Sequence, residues 1–318
     1  MTLPAIAVVV REWEPRDWAG AMRAANPGRP VVTWPDIPDR DAIGYALAWH
    51  PPEGALASLP NLRVIFSLGA GVDHLMRDAR LPPHVPIVRV VSADLTGRMS
   101  EWVTWQVLAH HRQATAYRAQ HADGVWRELP QPAASEVRVG IMGMGVIGRD
   151  AAEVLVRLGF QVAGWSRTRP VTLPGVQGFT GKSERAAFLA RTDILVSLLP
   201  LTPDTRGILA MPLFRALARD GALGAPVVIN GGRGGSQNEA DILAALDDGT
   251  LGGASLDVFE TEPLPATSPL WRHPRVTITP HAAAWSSPAA LVPPMLEQIR
   301  AFERGEPLRH LVDRDAGY

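Results

Sequence analysis

His281 closes the stretch Thr277-Ile278-Thr279-Pro280-His281, just past a short apolar run. An imidazole works near neutral pH, so a histidine there can hand a proton to an oxygen that is acquiring negative charge. Glu262 lies in Leu256-Asp257-Val258-Phe259-Glu260-Thr261-Glu262-Pro263 and could hold such a ring in place by a hydrogen bond. Arg233 stands between glycines in Val227-Val228-Ile229-Asn230-Gly231-Gly232-Arg233-Gly234-Gly235. Its planar fork suits a carboxylate or a keto oxygen. Hydride addition to a keto carbon needs this set: His281 as proton donor, Glu262 as its partner, and Arg233 as substrate anchor and carbonyl polariser. The chain has nine histidines. Most histidines serve packing or surfaces, so spacing alone leaves open whether these three residues meet.

A hydride needs a carrier. Val137-Arg138-Val139-Gly140-Ile141-Met142 reads as a strand that runs into Gly143-Met144-Gly145-Val146-Ile147-Gly148, a G-x-G-x-x-G turn, and a helix with Ala151, Ala152 and Leu155 follows. Gly143 permits the tight turn, Gly145 lets the backbone approach a pyrophosphate, and Gly148 lets helix and strand pack closely. The helix start offers free N–H groups to phosphate. An NAD site places an acid at the end of the next strand, about 20 residues on. Ser166 stands there, 18 residues beyond Gly148, and Gln161–Arg169 contains no carboxylate. Ser166-Arg167-Thr168-Arg169 instead supplies two guanidinium groups and two hydroxyls, which suit a 2′-phosphate. The expectation is NADP(H) rather than NAD(H).

The positioning elements follow from alternating apolar runs and helical patterns. Ala5–Val10, Tyr45–Trp49 and Arg63–Ser67 read as strands, with a helix over Asp17–Ala25. A second series has strands at Val137–Met142, Gln161–Trp165, Ile194–Leu198, Val227–Asn230, Ala254–Val258 and Val276–Ile278, with helices over Ile147–Leu158 and Glu239–Leu246. Such alternation predicts an α/β fold: a doubly wound parallel sheet of six strands behind a first parallel sheet. Met99–Tyr117 reads as one long helix with Trp102, Trp105 and Leu108 on a stripe; its own domain or a partner subunit would cover that stripe equally well. Gly124–Glu136 is irregular, and Ala289–Glu303 reads as a final helix that crosses back to the first domain.

Composition excludes other classes. The 318 residues suffice for two domains, with 46 % hydrophobic and 20 % charged residues. A net charge of −1 argues against a nucleic-acid partner. With no cysteine there are no disulfides and no thiolate metal sites, and no metal is expected. Met1–Pro15 lacks the basic region of a secretory signal, no apolar run suits a membrane span, and the expected location is the cytoplasm.

Further stretches carry a resemblance: Ser67-Leu-Gly-Ala-Gly71-Val-Asp-His-Leu, the Gly143–Gly148 turn, Trp165-Ser-Arg-Thr-Arg169, Leu198-Leu-Pro-Leu-Thr-Pro-Asp-Thr-Arg-Gly207, Ala244-Ala-Leu-Asp-Asp-Gly249, Leu256–Pro265, Ser268–Val276 and Thr279-Pro-His281. From about residue 60 onward the chain resembles the D-isomer-specific 2-hydroxyacid dehydrogenases, and among them the bacterial glyoxylate/hydroxypyruvate reductases. The resemblance implies a Rossmann NADP-binding domain over 99–284 and a flavodoxin-like substrate domain over 1–98 plus 285–318. It implies that Arg233, Glu262 and His281 converge in a cleft between them. It adds Val146, Ile147, Leu199, Pro200, Thr205, Gly231 and Asp257 to the cofactor contacts, and His281 beside the nicotinamide. It implies that N–H groups near Ala70 and Gly71 bind the substrate carboxylate, that Trp49 lines the pocket, and that a homodimer forms around Met99–Tyr117. The implied reaction reduces small 2-keto acids to 2-hydroxy acids with NADPH. Family members usually carry a bulkier residue before the catalytic arginine, so Gly231-Gly232 and Gly234-Gly235 predict a mobile Arg233 turn. Two alternatives stand beside this reading. One is a family enzyme of another class, such as a phosphoglycerate, formate or longer-chain hydroxyacid dehydrogenase. The missing acid argues against the NAD-linked members, and the end at Tyr318 against an appended regulatory domain. The other is a non-catalytic dinucleotide sensor, which has no need of a proton donor.

Overall fold

Runs of buried apolar residues set the strands. Ala5–Val10 (β1) is buried at every position, the pattern of a strand covered on both faces. The computed structural model describes residues 3–317 and divides the chain into two units, one holding residues up to Asp94 and from Ser286 onward, the other Leu95–Trp285.

In the first unit β1 is followed by α1 (Pro15–Ala25), β2 (Val31–Thr33), β3 (Ile43–Trp49), β4 (Val64–Ser67), α2 (Asp73–Met76) and β5 (Ile87–Arg89). α1 begins with proline in its first turn, where no N–H is lost. The five strands are parallel in the order β2-β1-β3-β4-β5, the flavodoxin-like arrangement.

The second unit holds most of α3 (Ala93–His111), then α4 (Ala114–Ala122), β6 (Arg138–Met142), α5 (Val146–Arg157), β7 (Gln161–Ser166), β8 (Val176–Thr180), α6 (Gly181–Ala190), β9 (Ile194–Ser197), α7 (Met211–Arg215), β10 (Val227–Asn230), α8 (Glu239–Asp247), β11 (Gly253–Leu256) and β12 (Val276–Ile278). Its sheet is parallel with the order β12-β11-β10-β9-β6-β7-β8, and the winding reverses between β6 and β9. Alternate strand residues feed opposite faces: Ile194, Val196, Val227 and Ile229 join one buried cluster, Leu195 and Val228 another. Parallel strands all end on one edge, and Gly143, Ser166, Asn230 and Asp257 stand at that edge. The chain then returns to the first unit as α9 (Pro288–Glu303), where Glu303 meets the buried Arg29 at 2.7 Å and accepts from the Tyr45 hydroxyl at 3.1 Å.

Three expectations change. The sheet has seven strands, because Val176–Thr180 adds an edge strand that its mixed sequence hides. The helix predicted over Met99–Tyr117 opens at Ala93 and breaks at Gln113, whose φ of 56° is left-handed and cannot continue a helix. The stripe on it also divides: Trp102 is buried, whereas Trp105 is half exposed. Among the described residues, no helix is long and apolar enough to cross a membrane, and no cluster of three histidine or acidic side chains could hold a metal ion.

α3 also packs His110 against β11, with Nε2 2.8 Å from the Ser255 hydroxyl. Desolvation, with the charge of Arg118, lowers the pKa of His110 to about 4. Between pH 6.5 and about 4 the unfolded chain therefore takes up a proton that the folded chain refuses. Stability should fall as pH drops through that window. Thermal melts of His110→Gln, compared with the parent from pH 7 to 4, should show a flatter acid slope.

Candidate active site

Three turns at the C-terminal edge of the second sheet bring the predicted reactive groups together. The first follows β10. Gly231 N–H donates to the Ser197 carbonyl at 3.1 Å, and Gly232 N–H to the Asn230 side chain at 3.0 Å. The Arg233 carbonyl accepts from Ser236 Oγ at 2.6 Å and from Asn230 Nδ2 at 3.2 Å. The glycines do not loosen this turn, contrary to expectation. A Cβ on Gly234 would lie 1.8 Å from the Phe259 carbonyl oxygen, and one on Gly232 2.7 Å from that of Leu199. Close approach of neighbouring backbones demands glycine here, and the surrounding hydrogen bonds hold Arg233 in place.

The second turn follows β11 and carries Glu262, whose Oε1 accepts from the Phe259 N–H at 2.9 Å. The third follows β12 and carries His281. Its Nδ1 lies 2.8 Å from Glu262 Oε2, with the two side chains 35 % and 33 % exposed, leaving the ring open to a reactant. Burial pushes the Glu262 carboxyl up. The His281 bond and charge, the Phe259 N–H and the charge of Arg233 outweigh it, so the group ionises below the ordinary carboxylate range. Arg233, Glu262 and His281 thus form one electrostatic group.

His281 has a φ of 51°, unusual for a residue with a Cβ. Its N–H donates to the carbonyls of Asp257 at 2.7 Å and Thr279 at 3.1 Å. The buried Asp257 carboxylate accepts from Thr279 Oγ1 at 2.5 Å, Ala282 N–H at 2.9 Å and Ala283 N–H at 3.1 Å. Burial nonetheless raises its pKa above the usual carboxylate range.

The glycine turn after β6 fits a dinucleotide. Gly143 has a φ of 104°, which favours glycine, and a Cβ on Gly148 would lie 2.1 Å from the Gly143 carbonyl oxygen. Beside Gly145 no atom beyond its chain neighbours lies within 4 Å of the Cβ position, so the backbone at the start of α5 is open to a close approach. Leu198–Pro200 closes one side: a Cβ on Gly143 would meet the Leu198 carbonyl oxygen at 2.7 Å, and Thr205 Oγ1 donates to the Pro200 carbonyl at 2.6 Å. After β7, the Ser166 hydroxyl donates to the Arg169 carbonyl and Thr168 is exposed. Arg167 pairs with Asp204 at 3.0 Å, and Lys182 lies 3.9 Å from the same carboxylate. Sequence reasoning missed both partners, because the acid arrives from the loop after β9 rather than from β7 itself; a scan of the Leu198–Gly207 stretch for charges could have flagged Asp204.

In the first unit Trp49, at the end of β3, stacks on Trp13 with ring centroids 4.6 Å apart. A Cβ on Gly69 would strike the Trp49 ring at 2.2 Å, so Trp49 packs directly on the turn leading to Ala70 and Gly71. The Ser67 hydroxyl lies 3.3 Å from the Gly71 carbonyl and steadies that turn.

An α/β chain with a dinucleotide cradle and an acid-backed histidine beside an arginine turn defines a class of nucleotide-linked dehydrogenases. The chain belongs to the D-isomer-specific 2-hydroxyacid dehydrogenases: the family profile described as the NAD binding domain of these enzymes matches residues 104–283. Glyoxylate/hydroxypyruvate reductase A of Escherichia fergusonii is 42 % identical over 306 residues, covering 95 % of this chain and 96 % of its own. An NADPH-dependent glyoxylate/hydroxypyruvate reductase from Sinorhizobium meliloti, solved with NADP and sulfate, is 50 % identical, with a TM-score of 0.93 and 99 % of each chain covered. A D-isomer-specific 2-hydroxyacid dehydrogenase from Xanthobacter autotrophicus, solved with NADPH and MES, is 39 % identical, with the same TM-score and coverage.

Proposed function

We propose that this chain reduces small 2-keto acids, glyoxylate and hydroxypyruvate, to glycolate and D-glycerate with NADPH. The observation that carries the reading is the 2.8 Å bond between His281 and Glu262, in the electrostatic reach of Arg233, on the edge of the sheet that holds the open glycine cradle. NADPH supplies the hydride when bound. Gly143, Gly145, Val146, Ile147 and Gly148 receive its pyrophosphate, Leu199, Pro200, Thr205, Gly231 and Asp257 surround its other half, and Ser166, Arg167, Thr168 and Arg169 take the 2′-phosphate. Arg233 anchors the keto acid and polarises its carbonyl. His281, held by Glu262, gives the proton as the alcohol oxygen forms. Backbone N–H groups at Ala70 and Gly71 take the substrate carboxylate, and Trp49 bounds the pocket.

Residues 1–98 with 285–318 serve the substrate in this reading, and 99–284 the cofactor. A homodimer through α3 and α4 extends it: Trp105 and Tyr117 are half exposed, and Trp126 just beyond α4 is fully exposed, a costly arrangement for a surface left in water.

Initial rates with glyoxylate and hydroxypyruvate, each with NADPH and NADH, test the assignment. The expected result is faster turnover at lower KM with NADPH. Arg167→Ala should raise the KM for NADPH by roughly 10- to 100-fold, as losing a charge-assisted bond worth about 1.5–3 kcal/mol requires. The KM for NADH should stay near its parent value. Equal losses with both cofactors would remove Arg167 from 2′-phosphate recognition.

A further inference from the structure

The left-handed backbone at His281 needs restraint, and the restraint is traceable. Ala282 and Ala283 direct their N–H groups onto Asp257 Oδ1, at 2.9 and 3.1 Å. The Thr279 hydroxyl adds a third donor to that oxygen at 2.5 Å. A hydroxyl has one proton and can turn it elsewhere. Here the indole N–H of Trp102 donates to Thr279 Oγ1 at 3.0 Å, which occupies an acceptor site on that oxygen and leaves the Thr279 proton for Asp257. The chain Trp102→Thr279→Asp257 therefore runs in one direction, and each bond polarises the next.

Trp102 also reaches the other reactive turn. It is buried on α3, and a Cβ on Gly231 would lie 2.9 Å from its ring, so the indole packs against the backbone two residues before Arg233. One side chain thus contacts the turn that carries the arginine and, through its N–H, the turn that carries the histidine. An ordinary core position for a tryptophan requires no polar partner in a site; this one spends its single donor on the hydroxyl two residues before His281.

We propose that Trp102 and Thr279 are positioning residues for proton donation: together with Asp257 they lock the turn after β12 so that the His281 ring meets the substrate oxygen. The proposal rests on His281 as the proton donor. Neither residue is required to touch substrate or cofactor. Their loss should appear in the proton-transfer step rather than in cofactor binding, because a small misplacement of a general acid slows its own step most.

The test compares Thr279→Val, Thr279→Ser and Trp102→Phe with the parent enzyme on glyoxylate and NADPH. Valine keeps the volume and removes the hydroxyl; phenylalanine keeps an aromatic ring and removes the N–H. Thr279→Val and Trp102→Phe should each lower kcat by roughly tenfold, the effect of one lost hydrogen bond acting on the transition state. NADPH affinity should stay within about twofold. Their solvent isotope effect on kcat should rise as proton delivery becomes limiting. Thr279→Ser should return kcat to near the parent value. If Thr279→Val does not fold, Trp102→Phe carries the same test. A Thr279→Val or Trp102→Phe enzyme with parental kcat and isotope effect overturns the proposal, as does a kcat loss matched by an equal loss of NADPH affinity. His281→Gln, assayed alongside, separates the two levels. If it alone abolishes turnover while the positioning variants behave normally, only the proposal fails; if it keeps normal turnover, the proton-donor reading itself fails.

Discussion

His281→Gln should lower kcat for glyoxylate reduction by about 10²- to 10⁴-fold, the range that positioned acid–base groups contribute. Glutamine can occupy the space and hydrogen-bond to Glu262, but its amide does not release a proton on the timescale of turnover. The alkoxide must then wait for water. NADPH affinity, measured by fluorescence titration, should stay within about threefold, since the glycine turn and the Ser166–Arg169 corner are untouched. The substrate KM should change little. A kcat loss accompanied by an equal loss of NADPH binding would mean that the variant had disturbed the fold. The local structure argues against that outcome: the turn is fixed through main-chain N–H groups at residues 281–283, all directed to Asp257, and not through the imidazole.

Arg233→Ala should damage both parameters. The guanidinium is assigned two tasks, holding the keto acid in its ground state and polarising the carbonyl as charge grows on oxygen. The first appears as a higher KM and the second as a lower kcat. Removing a charged donor aimed at a developing oxyanion costs about 10²- to 10³-fold in kcat. Arg233→Lys should recover only a small part, because a point charge does not reproduce a planar fork. Arg233 also lowers the pKa of Glu262, so its removal should make the carboxylate easier to protonate. The acid limb of the pH–rate profile should accordingly move to higher pH in the residual activity. A variant whose KM rises at unchanged kcat would restrict Arg233 to ground-state binding.

Much of this site could be read from the chain because glycine and proton chemistry are local. Gly143 and Gly148 satisfy steric demands within six residues of each other, and a Cβ at Gly148 would meet the Gly143 carbonyl itself. The strand-then-turn pattern at Asn230, Leu256 and Ile278 likewise announces one sheet edge, because parallel strands all end there. What stayed hidden depends on distance in sequence. Arg167 finds Asp204 across 37 residues, and Trp102 finds Thr279 across 177. The crowding of the Arg233 turn has the same origin: Gly234 looks permissive in sequence, yet the Phe259 carbonyl that crowds it comes from the turn after β11. Short or mixed segments were also opaque. β2 and β5 have three residues each, and Val176–Thr180 holds a glycine and a glutamine. Gln113 gives no local sign of the left-handed backbone that ends α3.

In the proposed reaction, reduced nicotinamide gives a hydride to the keto carbon and His281, held by Glu262, gives a proton to the keto oxygen. The most direct measurement follows the label. NADPH deuterated at the transferring C4 position is incubated with the enzyme and hydroxypyruvate, and the product is analysed by mass spectrometry and chiral separation. Deuterium is expected on C2 of D-glycerate, one label for each NADPH oxidised. NADPH oxidised without label in glycerate, or no oxidation with either keto acid, would contradict that reaction.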